Sequence, residues 1–196
     1  PQPLVGGAAS LITPALTIGT HNITAVYSGD SNFNTGTSEL LRHTVNQAAT
    51  TTTVASSLNP STYGGSVTFT STTLSGASPV TEGTITFIES GTCGAPGTTL
   101  QAATAVNGSG EVTFTTNSLA AGSHAITACY TGTNYAASNG LVTQTVNKAH
   151  LTVTADNKTK TYDGAVYSPF TSTISGFVLG QTETGLRASG DLSGAA

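Results

Sequence analysis

Two cysteines and four histidines carry most of the chemistry this chain has to offer. Cys93 and Cys129 stand 36 positions apart. An even cysteine count fits a disulfide, two separate thiols or part of a metal site. The metal reading is weak because no histidine stands near either cysteine at ligand spacing. His21 and His124 occupy matched settings, each after a Gly-Thr or Gly-Ser pair and just before an alternating apolar run. Catalysis would need a nucleophile or carboxylate tied to the same place in both settings, and none recurs. Each imidazole is instead expected to bond nearby backbone where its strand begins. His43 and His150 flank segment junctions and have no better claim.

The nine acids are Asp30, Glu39, Glu82, Glu89, Glu111, Asp156, Asp163, Glu183 and Asp191. Glycoside hydrolysis needs two carboxylates across one cleft, and these are dispersed along the chain. Calcium needs six to eight oxygens. Only Gly29-Asp30-Ser31-Asn32, and Asp156-Asn157 with Asp163, come near that, and Asx turns account for both. No serine sits in a Gly-x-Ser-x-Gly elbow. A Lys–Asn crosslink would need a lysine buried in a strand, for which only Lys148 and Lys160 are placed. No catalytic residue, metal or cofactor is expected. Arg42, Lys148, Lys158, Lys160 and Arg187 are too scattered to neutralise a phosphate backbone, which argues against a nucleic-acid partner. No run reaches the ~18 apolar residues of a membrane span. Ranks of outward threonine suit ordered water or sugar, but threonine is also simply a good strand residue. Asn22-Ile-Thr24, Asn107-Gly-Ser109 and Asn157-Lys-Thr159 match the glycosylation pattern, as expected by chance in so Asn- and Thr-rich a chain.

These residues sit in a chain that repeats itself. Leu16-Thr-Ile-Gly19-Thr-His21-Asn-Ile23-Thr-Ala25-Val-Tyr27-Ser-Gly29 returns as Leu119-Ala-Ala-Gly122-Ser-His124-Ala-Ile126-Thr-Ala128-Cys-Tyr130-Thr-Gly132. Thr44-Val-Asn46 returns as Thr145-Val-Asn147. A period near one hundred residues is that of a whole domain, so both ends are expected to fall inside a domain. Apolar residues make up 37% and charged ones only 7%, against roughly 25% charged in an average soluble protein. Solubility must come from hydroxyls and amides. Disorder is disfavoured, because net charge is only −4 and β-branched residues abound.

Helical periodicity is nowhere sustained. Val67-Thr-Phe69, Ile85-Thr-Phe87, Val112-Thr-Phe114 and Ile126-Thr-Ala128-Cys-Tyr130 alternate as strands with one wet face. Turn signals separate them, Asn107-Gly108 being the strongest. Strands are expected at about 50–56, 66–73, 84–90, 98–105, 111–116, 124–131 and 141–147, and in the earlier copy at about 8–13, 21–28 and 40–46. Seven short strands in a hundred residues fit an all-β chain of tandem immunoglobulin-like antiparallel β-sandwich domains, with a closed barrel as the alternative.

Asn59-Pro60-Ser-Thr-Tyr63-Gly64, Glu82-Gly83-Thr-Ile85-Thr-Phe87, Gly122-Ser-His124-Ala-Ile126 and Thr145-Val-Asn147 make residues 49–147 resemble a bacterial Ig-like repeat. Residues 1–46 resemble its second half. Leu151-Thr-Val-Thr-Ala155 with Tyr162-Asp163-Gly164 is similar to the opening of an MBG-type β-domain. The expected division is 1–46, 47–147 and 148–196. The resemblance implies an extracellular or cell-surface bacterial protein whose partners are neighbouring domains of the same long chain. In an Ig sandwich the third and sixth strands are neighbours. Cys129 points away from Ile126 and Tyr130, so the Ser90–Gly97 loop could fold over that outer face and bring Cys93 to it. Separate thiols remain the alternative. Stalk spacing is the expected role. Its rivals are self-association through exposed strand edges, and glycan or protein contact through Gly94, Pro96, Asn134 and Tyr135.

Overall fold

The structure, a computed structural model, describes residues 2–13, 16–168 and 171–188. The first unit contains β1 (Gly19–Ile23), β2 (Val26–Tyr27), β3 (Gly36–Thr37) and β4 (Leu41–Val45). The middle unit contains β5 (Thr51–Ser56), β6 (Ser61–Thr62), β7 (Val67–Ser75), β8 (Ser78–Pro79) and β9 (Thr84–Glu89). It continues through β10 (Thr98–Ala105), β11 (Glu111–Thr116), β12 (Gly122–Thr131) and β13 (Ser138–Asn147). The last unit has β14 (Thr152–Ala155), β15 (Ser172–Ser175) and helix α1 (Glu183–Ala188).

The middle unit is a two-sheet sandwich. One sheet has the order β10-β9-β12-β13-β6, the other β11-β7-β5 with β8 added on β7. All pairs are antiparallel except β6 on β13. The alternation seen in the sequence decides which side chains turn inward. Val67 and Phe69 meet Ile85, Phe87, Ile126, Ala128 and Tyr130 across the sandwich, each at most 2% exposed. Phe114 bridges the sheets, its ring 6.2 Å from that of Phe69 and 5.8 Å from that of Phe87. The seven expected strands are all present, and the two short ones, β6 and β8, had no alternation long enough to show.

The first unit departs from expectation. No strand forms over 8–13; Val5 and Ala8 close a tight turn there instead. The run expected at 21–28 is broken. Gly19 pairs with Val45 as Gly122 pairs with Val146, so β1–β4 repeats the register of β12–β13. Beyond Ile23–Leu41 the register slips by one residue on the returning strand, and Val26 meets Thr37. Ser38 fills the slip, its hydroxyl accepting the Ala25 N–H at 2.9 Å. In β12 the same stretch is held straight by β9 on its far side; among the described residues β1 has no such neighbour. Gly19 and Gly122 share a positive φ, 129° and 146°, which explains why glycine recurs before each histidine.

Identical sequence roles thus meet different environments. Ile126 is fully buried, whereas its counterpart Ile23 is 39% exposed. Ile126→Ala is expected to cost about 2–5 kcal/mol in urea unfolding of the middle unit, and Ile23→Ala less than about 1 kcal/mol. Equal losses would contradict this assignment of the core.

Candidate functional site

The outer face of the β9–β12 sheet carries a second, smaller buried cluster. Ile88, Thr127 and Cys129 point away from the core, yet they are 1%, 5% and 9% exposed. The Ser90–Gly97 loop is tied to this face. It leaves the sheet where Ser90 N–H bonds the Ala125 carbonyl, and it turns back through paired bonds between Thr92 and Ala95. Cys93 is bonded to Cys129 across a Cα–Cα distance of 5.5 Å. The bridge therefore ties a loop to the outside of one sheet rather than sheet to sheet. Gly94 and Pro96 stand exposed at the tip.

On the inner face, His124 ends the stripe formed with Ile126, Ala128 and Tyr130, and Glu89 ends that of Ile85 and Phe87. His124 Nδ1 lies 2.5 Å from Glu89 Oε1, and Nε2 lies 2.8 Å from the Ala120 carbonyl. Both partners are acceptors, so the geometry suits an imidazolium that donates from both nitrogens. Burial opposes that charge, but the Glu89 hydrogen bond, the Ala120 carbonyl and the Glu89 charge outweigh it and raise the His124 pKa. His21 makes the same backbone contact, Nε2 to the Thr17 carbonyl at 2.6 Å. Glu89 was not legible as a partner from sequence, because only the Ile126–Glu89 register brings it alongside.

At the opposite end of the sandwich another carboxylate organises the loop after β12. Asn134 donates its backbone N–H to Glu82 Oε1 at 2.6 Å and its Nδ2 to Oε2 at 2.9 Å. The backbone bond first, then the side-chain bond, holds the Glu82 pKa below its ordinary value. In the first unit Asp30 does the corresponding work from within the loop. It accepts the Asn32 and Phe33 N–H groups at 2.7 and 2.9 Å and the Tyr27 hydroxyl at 2.6 Å. Where the second copy lacks that aspartate, a glutamate from the loop before β9 replaces it. Asn134 remains exposed while bonded to Glu82, and half-buried Tyr135 packs on the core.

The middle unit also grips the segments that enter and leave it. Ala48 pairs in parallel with Tyr135, through Ala48 N–H to the Asn134 carbonyl and Ala136 N–H to the Ala48 carbonyl. Gln47 Nε2 reaches the Thr133 carbonyl at 3.0 Å. At the exit, Val178 sits so close to Gly64 that a Cβ there would fall 2.8 Å from the Val178 Cβ. Around this contact Tyr63, Ala121, Lys148, Leu151, Phe177 and Gln181 line an apolar recess of about 170 Å³.

The other candidates lie apart. Lys160 Nζ is 2.6 Å from Asp163 and bonds the Ala165 carbonyl, and Asp156 accepts the Thr171 and Thr173 hydroxyls. His43 faces His21 across β1–β4. Asp191 and the Arg187 side chain lie outside the described residues. Among the described residues no group of three His, Cys, Asp or Glu side chains could hold a metal ion. No helix there is long and apolar enough to cross a membrane.

A two-sheet sandwich with these terminal clamps defines an Ig-like module. The model of the bacterial Ig-like domain (group 3) matches residues 1–46 and 51–147, and the chain belongs to that family. The MBG domain (YGX type) matches residues 151–196. No curated protein matches the chain. Both domain types are typical modules of bacterial surface proteins.

Two outcomes follow for stability. Replacing Cys93 and Cys129 by alanine is expected to lower the unfolding free energy by about 3–4 kcal/mol in urea titrations, and reductant should reproduce the loss in the unaltered chain. With its pKa raised in the fold, His124 contributes fully below about pH 6.5, and that contribution disappears as pH climbs through the raised value. Glu82, depressed, contributes fully above about pH 4.3 and loses its contribution in acid. Stability is expected to be highest between these limits. His124→Gln should flatten the alkaline limb, and Glu82→Gln should weaken the acid one.

Proposed function

We propose that the chain is a non-catalytic spacer segment of a large extracellular bacterial surface protein, an adhesin-like stalk. Its units at 1–46, 47–147 and 148–196 hold a distal module away from the cell. The observation that carries this is the gripping of both junctions. Ala48 is already paired with Tyr135, and Val178 is seated on Gly64, so few backbone torsions remain free between units. Short, pinned connections transmit orientation from one domain to the next. Small-angle scattering on the whole chain is expected to give one extended distance distribution. Val178→Ala, which empties the contact on Gly64 without altering a backbone angle, is expected to broaden it. A wild-type chain whose units tumble independently would remove the mechanical content of the proposal.

A second reading is favoured by the first unit. Val26, Phe33 and Leu41 are 70%, 68% and 62% exposed on a hairpin whose twin in the middle unit is enclosed. In that reading the incomplete end units complete one another between chains as an extracellular filament, joined at open strand edges. Concentration-dependent light scattering separates the two: a strict monomer removes the filament. An adhesive contact role would fall to Gly94, Pro96 and Asn134, which are exposed, with half-buried Tyr135 beside them, and a glycan array tests it.

A further inference from the structure

Two hairpins in this chain carry the same core residues, and only one of them has a core. β12 turns His124, Ile126, Ala128 and Tyr130 inward, and β1–β2 offers His21, Ile23, Ala25 and Tyr27 at the same spacing. On the returning strands Leu41, His43 and Val45 stand where the sandwich has Val142, Gln144 and Val146. The pairing register agrees as well, from Gly19–Val45 and Gly122–Val146 to Ile23–Leu41 and Ile126–Val142. His21 is already turned as His124 is, each Nε2 bonding the carbonyl four residues back, of Thr17 and Ala120. In His124 that contact leaves Nδ1 for Glu89. Yet Ile23 and Leu41 are exposed, whereas Ile126 and Gln144 are fully buried. On the outward face Val26 stands where β12 has Cys129, the partner of Cys93.

We propose that the middle unit can take the β1–β4 hairpin of a second copy of this chain in place of its own β12–β13, and that the Cys93–Cys129 bridge prevents this exchange. Domain swapping exchanges identical elements between protomers, and here the chain carries a near-copy of the element as well. Ile23 then enters the place of Ile126, His21 comes to Glu89, and β9 supplies the edge that β1 lacks among the described residues. The acceptor is the middle unit, not another end unit as in a filament. The donor must be a second copy, because a chain's own first hairpin cannot reach. Thr50 Oγ1 bonds Ser138 Oγ at the start of β13, so the chain would have to run from the place of Val146 back to Thr50. From Val146 to Ser138 is eight residues of strand, about 26 Å. The five residues from Val45 to Thr50 span at most about 18 Å. The unit's own hairpin fits better, since Gln144 bonds Ser56, Leu58 and Ser61 together, while His43 brings only two ring nitrogens. The bridge makes that preference permanent. It fastens β12 to the loop that leaves β9, so β12 cannot depart while it is closed. An exchanged unit sets Cys93 against Val26, where no bridge forms.

Refolding the whole chain from urea over a range of concentrations, with the products separated by size, tests this. With Cys93→Ala and Cys129→Val together, a dimer is expected whose share rises with concentration, and the bridged chain should give none of it. If that variant fails to fold, the unaltered chain in an added dithiol, which reduces the bridge to two thiols and is itself oxidised to a disulfide, serves instead. Adding Ile23→Asp should cut the dimer by about tenfold or more, because only the exchanged form carries that carboxylate into the core. The monomer, where Ile23 is exposed, should be spared. Moving the cysteine, by Val26→Cys with Cys129→Val, places a thiol where the exchanged hairpin meets Cys93. An added disulfide oxidant, which takes up the two electrons and two protons, should then join Cys93 of one copy to position 26 of another. Thr35→Cys with Cys129→Val, a loop thiol on the same hairpin, should not be joined. The exchange is overturned by no dimer at any concentration, by equal dimer from the bridged chain, by a dimer indifferent to Ile23→Asp, or by equal linkage at positions 26 and 35. Linkage of Cys93 to position 26 within one chain would overturn the second copy as donor.

Discussion

One buried stripe, His124, Ile126, Ala128 and Tyr130 on β12, organises the rest of the molecule. A strand can be buried on one face only if another sheet covers it, and it stays straight only if both edges are paired. β12 has both, with β9 and β13 on its edges and Phe69 and Val67 opposite. The stripe needs a polar stop at each end, because the core runs out before the strand does. Glu89 supplies the partner for His124 at one end, and at the other the Tyr130 hydroxyl donates to the Glu82 carbonyl at 2.9 Å. Burial, then the charges of Glu82 and Tyr135, raise the Tyr130 pKa, so the phenol stays a donor.

The first unit shows what the same stripe does without that cover. β1–β4 keeps the hairpin register set by the recurring Gly-x-His and Thr-Val-Asn segments, since these are local features of strand and turn. Past Ile23 it bulges at Ser38 and its apolar residues face outward. Local sequence therefore suffices for a hairpin's pairing but not for its straightness or burial, which come from β9 and the β5–β7–β11 sheet. The carboxylate that organises the loop after Tyr27 or Tyr130 makes the same point. Asp30 acts from inside its loop and survives in the first unit, whereas Glu82 arrives from another loop and needs the assembled sandwich.

How much of this was legible in the sequence follows from range. Alternation places Phe69, Phe87, Phe114 and Ile126 inward, because strand parity is a local property. The outward placement of Cys129 also follows from parity, and with strand order it brings the Cys93 loop within reach. Gln144 carried a signal too, a polar residue on the apolar parity of β13, but its partners Ser56 and Leu58 lie over eighty residues away. The partners of Glu89, Glu82 and Asn59 were not legible, since they depend on register between distant strands. The expected strand at 8–13 did not form: Leu11 and Ile12 pair with no strand and remain 74% and 90% exposed.

The polar bonds between residues 50–62 and 138–147 and the outer disulfide lie in different places for a physical reason. A chain with only 7% charged residues has few ion pairs to fix its strands, and it relies on hydroxyls and amides that bond to backbone. Such bonds are individually weak, and between the first and last segments of the middle unit they recur from Thr50–Ser138 through Ser56–Gln144 to Asn59–Thr145. Placed between the loop after β9 and the outside of β12, the disulfide constrains the unfolded chain and leaves the contacts between the first and last segments to hydroxyls and amides.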